Sequence, residues 1–133
     1  MKFLKTLMAA LVVATTFMSC SKDDDPAPSN PYAGNYKGKY GNDNDVPGWY
    51  YYNQLKSNGT VYEEGGNELS PNKGNGTWSI NGTTFTSKVT YYQGSSLTYS
   101  MTGTYDPVLK KITGTWGYDN SNTDGGTFYL VKQ

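Results

Sequence analysis

Through much of the chain, apolar or small residues occupy every second position and polar residues the positions between. In the stretch LTYSMTGTYD, Leu97, Tyr99, Met101, Gly103 and Tyr105 alternate with Thr98, Ser100, Thr102 and Thr104, the period of a strand with one buried face. Phe85, Ser87, Val89 and Tyr91 alternate with threonines and Lys88 in the same way, and Ile112, Gly114, Trp116 and Tyr118 repeat the pattern. Earlier strands are expected at 36–40, 49–56, 60–64 and 76–80, and a last one at 127–132, which makes eight. The chain is rich in Tyr, Thr and Gly, and no apolar stripe recurs at helical spacing, so the domain reads as all-β.

The dipeptides Asn58-Gly59 and Asn81-Gly82 predict tight type I′ hairpins, whose central residues both need positive φ. Neighbouring strands are then sequential and antiparallel, an eight-stranded up-and-down meander. It either closes as a small barrel, which abolishes exposed edges, or folds over as a β-sandwich. Glycines at inward positions, Gly38, Gly103 and Gly114, let a sheet coil tightly and favour closure.

A meander places its odd connections at one end and its even connections at the other. The odd ones, at 41–48, 65–75, 93–96 and 119–126, are mostly long; the even ones, at 58–59, 81–82 and 106–110, are short. One end is therefore expected to be a closed floor and the other a loop-bordered mouth, with both ends of the domain on the floor side.

An eight-stranded barrel is just wide enough to be filled by its own side chains or to hold one small ligand. The expected inward set includes Leu97, Tyr118 and Ile80 besides the seven residues assigned to ligand binding. Of those seven, Trp49, Trp78 and Trp116 would form apolar walls. Tyr51, Asn53, Ser87 and Tyr99 would turn polar atoms inward, where they need partners. Such a mixture suits a small amphipathic or ring-bearing molecule. With a filled interior, exposed tyrosines at 50, 52, 92 and 129 would instead point to a protein or glycan partner.

The two halves of the N-terminal region differ from this domain and from each other. Residues 1–19 read as an export signal, with Lys2 and Lys5 ahead of an apolar run at 7–18 that is too short to span a bilayer stably. Residues 20–31 hold the sole cysteine, three aspartates and three prolines, the composition of an extended tether. The domain occupies 32–133.

Phe17-Met18-Ser19-Cys20 resembles a bacterial lipobox, which implies lipidation of Cys20 and attachment to a membrane through that lipid. Ser21 to Asp25 is similar to the acidic signal that sends some Gram-negative lipoproteins to the outer face of the outer membrane. The short motifs GNYKGKY, at the start of the domain, and GTW, at Gly76 and again at Gly114, resemble lipocalin-like and avidin-like barrels. That resemblance implies a ligand-binding barrel and assigns no ligand residue.

Composition then narrows the function. The chain has eleven lysines and eleven acids, three of each before residue 32, so eight balance eight in the domain and there is no electrostatic footprint for nucleic acid. Histidine and arginine are absent and the one cysteine belongs to the anchor. That excludes Ser-His-Asp and Cys-His nucleophile systems and the common zinc sites. Carboxylate chemistry is the one catalytic route left, with Glu63, Glu64 and Glu68 around a Gly-rich turn. Acids in turns are ordinarily solvated, and the reading is of a non-enzymatic binding module that requires no cofactor and no metal. Residues 119–125, which faintly resemble a Ca²⁺ loop, lack its glycine spacing and closing glutamate and read as a polar turn.

Overall fold

The computed structural model describes residues 29–133; the expected signal segment, Cys20 and nearly all of the expected tether lie outside the described residues. Eight strands follow one another: β1 (Gly34–Asn42), β2 (Trp49–Leu55), β3 (Thr60–Asn67), β4 (Ser70–Asn81), β5 (Thr84–Gln93), β6 (Thr98–Asp106), β7 (Lys111–Tyr118) and β8 (Gly126–Lys132). Each pairs antiparallel with its neighbours in sequence, and β8 returns to pair with β1 through registers such as Gly38 with Leu130, so the sheet is a closed barrel and not a sandwich. Closure leaves every strand paired on both sides, and the buried residues all fall between Tyr36 and Leu130. The described segment thus contains its whole core and has no sheet edge to satisfy elsewhere, which makes it a folding unit in its own right.

The floor and mouth fall at the expected ends, but the hairpins are built differently from expectation. Only Gly59 and Gly82 have positive φ in the two tight turns; Asn58 and Thr83 do not. At residues 56–59 the Gly59 N–H bonds the Lys56 carbonyl, and the Asn58 side chain accepts from the Thr60 N–H. At 82–83 glycine takes the first central position alone, the pattern of a type II′ turn. Neither turn is type I′, because one left-handed glycine in each supplies the bend the strands need.

The expected long loop at 65–75 is also corrected. β3 and β4 continue past it to a two-residue turn, with Asn67 opposite Ser70 and Gly65 opposite Asn72. Glycine and asparagine disguise the segment as a loop; ladder hydrogen bonds, which do not depend on side-chain type, hold it as a projecting hairpin on the mouth side.

Packing differs between the two ends. Toward the floor the interior is filled: Tyr36, Leu55, Phe85, Ile112 and Leu130 are buried, and the Trp78 indole N–H donates to the Lys56 carbonyl. Tyr32 stands edge-on to Tyr105 there, and the Tyr36 hydroxyl donates to the Tyr32 carbonyl, plugging that end. Toward the mouth, aromatic rings line the wall without meeting at the centre.

Candidate functional site

The residues that build the site come from β2, β3 and β5. On β3 the alternation places Val61, Glu63 and Gly65 inside and Tyr62 and Glu64 outside. Glu63 is 2% exposed. It pairs in register with Asn53 of β2, and two tyrosines converge on it from opposite sides. The Tyr51 hydroxyl donates to Oε2 at 2.9 Å and the Tyr91 hydroxyl to Oε1 at 2.8 Å. Tyr91 reaches across because β4 opposes it with Gly74, where a Cβ would stand 2.6 Å from Val89 and 3.0 Å from the Tyr91 ring.

Both donors to this carboxylate are neutral. The one salt bridge among the described residues, Lys37 with Glu68, lies on the outside, so Glu63 has no cationic partner. Burial pushes its pKa up to about 7, against the pull of the hydrogen bonds from Tyr91 and Tyr51 and of the nearby Asn53 amide. Burial likewise raises the Tyr91 and Tyr51 phenols, and the neighbouring carboxylate raises them further, which keeps both as donors throughout the physiological range.

Above this group lies a cavity of about 150 Å³. Glu63, Tyr51 and Met101 form its base, and Tyr91, Tyr99, Tyr40 and Trp116 its walls; Asn42, Asn72 and Tyr118 stand at its rim. The wall rings brace one another edge to face: Tyr40 and Tyr99 stand 5.8 and 5.6 Å from Trp116, and Tyr91 stands 5.2 Å from Tyr99. The Trp116 indole N–H is used by the Gly41 carbonyl, so its ring serves the cavity as an apolar surface. Six exposed apolar side chains lie at the mouth end of the barrel, on strand ends and connections: Val46, Trp49, Leu69, Tyr92, Leu97 and Tyr118.

Of the seven residues expected to bind ligand, Tyr51, Tyr99 and Trp116 line the cavity and four do not. Trp49 has inward parity yet is 54% exposed, because it opens β2 at the rim, beyond the last layer that spans the barrel. Leu97 and Tyr118, also expected inside, are exposed at the same level for the same reason, and Ile80 is half-buried at the other end. Trp78 belongs to the floor packing. Ser87 is buried but its hydroxyl donates to the Thr77 carbonyl, which satisfies it within the sheet. Asn53 lies deeper than the cavity, and neither atom of its amide has a hydrogen-bond partner among the described residues. Its amide still pulls the Glu63 pKa down, without a hydrogen bond of ordinary geometry.

Glu63, Tyr91 and Tyr40 are the residues that sequence reasoning missed. The sequence groups Glu63 with Glu64 and Glu68 around a Gly-rich turn at the end of the expected strand 60–64; the period-two step from Val61 is the signal that places it inside. Residues 119–125 form a polar turn closed on itself, with the Asp124 carboxylate accepting from the Tyr118 N–H and Thr115 donating to the Asn122 carbonyl. Among the described residues, no three acids are grouped to hold a metal ion.

No family model, no curated protein and no solved structure matches this chain. The site is therefore read from its own chemistry: a closed antiparallel barrel, half filled, with a small aromatic cavity over an uncompensated buried carboxyl group.

Asn53 provides a test of this geometry. Replacing it by Leu, which has the same number of side-chain heavy atoms, removes a buried amide that makes no hydrogen bond of ordinary geometry, and is expected to stabilise the domain by about 1–2 kcal/mol. Thermal unfolding near pH 5, where Glu63 is protonated, should show a midpoint several degrees higher. A lower midpoint would mean that the amide is satisfied and contributes to stability.

Proposed function

We propose that the barrel is a binding module for a small amphipathic or ring-bearing molecule, received through the mouth with its polar group directed at Glu63. The observation that carries this reading is the cavity itself. A space of about 150 Å³ matches one benzene-sized molecule, and polar atoms at its base with apolar walls above are the usual composition of a ligand site. The apolar residues at the rim extend the same surface outward, where a longer apolar part of the ligand would lie.

The reading also includes placement. β1 leaves the floor and β8 returns to it, so a tether ending in a lipidated Cys20 would hold the mouth away from the membrane. The module is then an outer-membrane lipoprotein that presents its opening to the cell exterior. A partner protein or glycan at the rim is the second reading; of the tyrosines expected outside, Tyr92 is exposed while Tyr50, Tyr52 and Tyr129 are half-buried, so it rests more on the exposed Val46, Leu69 and Leu97 of the rim.

Native mass spectrometry of residues 29–133, after exposure to an extract of the producing cell's growth medium, tests the first reading. A stoichiometric adduct that disappears on unfolding is expected. A bare domain after every extract would reject the cavity as a ligand site and leave the rim as the place to search.

A further inference from the structure

We propose that the molecule this cavity takes is a compact organic ammonium ion, its positive head set between the Glu63 carboxylate and the surrounding tyrosine and tryptophan rings. The inference rests on the small-ligand reading above and narrows it to one chemical class. It follows from what the cavity contains and from what it lacks.

The only ionisable group of low intrinsic pKa at the cavity base is a carboxyl group, and every residue packed around it is uncharged. Tyr51 and Asn53 face it from β2, Tyr91 from β5, Met101 from β6 and Tyr40 from β1. No lysine lines the cavity. Two phenolic donors occupy one acceptor position on each oxygen, and a carboxylate can accept about four hydrogen bonds. Room for further donors therefore remains, while the charge has no counter-ion.

A bare carboxylate in such surroundings is costly unless paired. An anion would add repulsion, and a neutral ligand would leave the charge uncompensated. An ammonium ion supplies the missing charge and, through its N–H groups, the missing donors. The walls favour the same class, because aromatic rings attract a cation by their quadrupole, most strongly where water is excluded. The two tyrosines bonded to Glu63 cannot take the acid's place as the anion, since their own ionisation is suppressed by burial and by Glu63.

The apolar rim then receives whatever hydrocarbon the ammonium carries. Binding is also coupled to a proton: where Glu63 is protonated in the empty cavity, the cation must displace that proton, so affinity rises with pH through the neutral range.

Titration of residues 29–133 with four probes tests this: benzylammonium, benzyl alcohol and benzoate, which are of similar size, and the smaller tetramethylammonium, which carries the charge without N–H groups. The readout is the three indole N–H resonances, of which only that of Trp116 adjoins the cavity. At about pH 8, the two ammonium ions are expected to shift the Trp116 resonance with dissociation constants at least tenfold lower than benzyl alcohol, and benzoate should not bind. Tetramethylammonium keeps its charge at all pH, so a weakening of its binding between about pH 8 and pH 5.5 reports the carboxyl group alone.

The Glu63→Gln variant should lose the pH dependence and bind benzylammonium at least tenfold more weakly than the wild type, keeping only the small preference over benzyl alcohol that the aromatic walls supply. Tyr99→Leu, which leaves Glu63 and its two donors intact, should weaken tetramethylammonium at least threefold. Benzyl alcohol or benzoate binding as tightly as the ammonium ions would overturn the inference while leaving a small-ligand cavity in place. A preference for ammonium undiminished by Glu63→Gln would overturn it too. No shift of the Trp116 resonance with any probe would reject the ammonium class, and the extract experiment would then decide separately whether the cavity binds anything else.

Discussion

Glu63→Gln is expected to make the domain more stable than the wild type at pH 8 and to leave the two nearly equal at pH 4. Glu63 titrates at about 7 in the folded barrel against 4.5 as its ordinary value. Below about 4.5 the group is protonated in both folded and unfolded chains and contributes no difference. Between the two values the unfolded chain has lost the proton and the folded one keeps it, so each rise in pH favours unfolding. Above about 7 the penalty is complete and constant. A shift of this size corresponds to about 3 kcal/mol, a large share of what holds a domain of this length together.

Glutamine keeps the shape and an acceptor for the tyrosine hydroxyls but does not titrate. Urea unfolding of both proteins at several pH values should therefore show a wild-type stability that falls from pH 4.5 to pH 8 relative to the variant. Parallel curves would mean that Glu63 is not desolvated in solution. Because a bound cation would lower the folded pKa again, a saturating ammonium ligand should flatten the wild-type curve as well.

Gly38→Ala is expected to have the larger effect on folding. A Cβ at that position would lie 1.8 Å from the Tyr129 carbonyl oxygen and 3.0 Å from the Leu130 Cα. Both are backbone atoms of β8, so no rotamer change relieves the clash; β1 and β8 must separate. Their pairing is the seam that closes the barrel. The cost should exceed about 3 kcal/mol, and a seam that opens exposes two strand edges, which invites association between chains.

The expected outcome is a protein that is largely unfolded or aggregated at room temperature, seen as loss of indole dispersion and a shift in sedimentation. Gly82→Ala is the control. Its Cβ would meet nothing within 4 Å, and only its φ of +63° disfavours a side chain, so it should cost about 1 kcal/mol and fold normally. Equal behaviour of the two variants would contradict the tight approach of β1 to β8.

The contrast between these glycines also separates local from non-local information in the chain. Strand identity from β5 to β8 was legible because alternation acts between residues two apart, and the parity of a meander follows from strand count alone. The floor and mouth could be assigned before any contact was known. The extension of β3 and β4 was not legible, because SPNKGNG and GGN carry turn residues and their strand conformation comes from pairing with each other.

The site lay further from view. Glu63 and Glu64 are identical residues side by side; one is buried among phenols and the other lies outside, bonded by the Tyr50 and Tyr62 hydroxyls. Nothing in the pair distinguishes them. Alternation from Val61 turns Glu63 to the inner face, but the neighbours that enclose it there, Asn53 on β2 and Gly74 on β4, are supplied by register, and register is a property of three strands at once. Trp49 shows the converse, since its parity is right and its height in the barrel puts it in solvent. Local pattern thus specified the strands, their order and the polarity of the barrel. Whether the interior was full, and which acid it enclosed, depended on how rings from separate strands divide a shared volume, and that packing exists only once the barrel has closed.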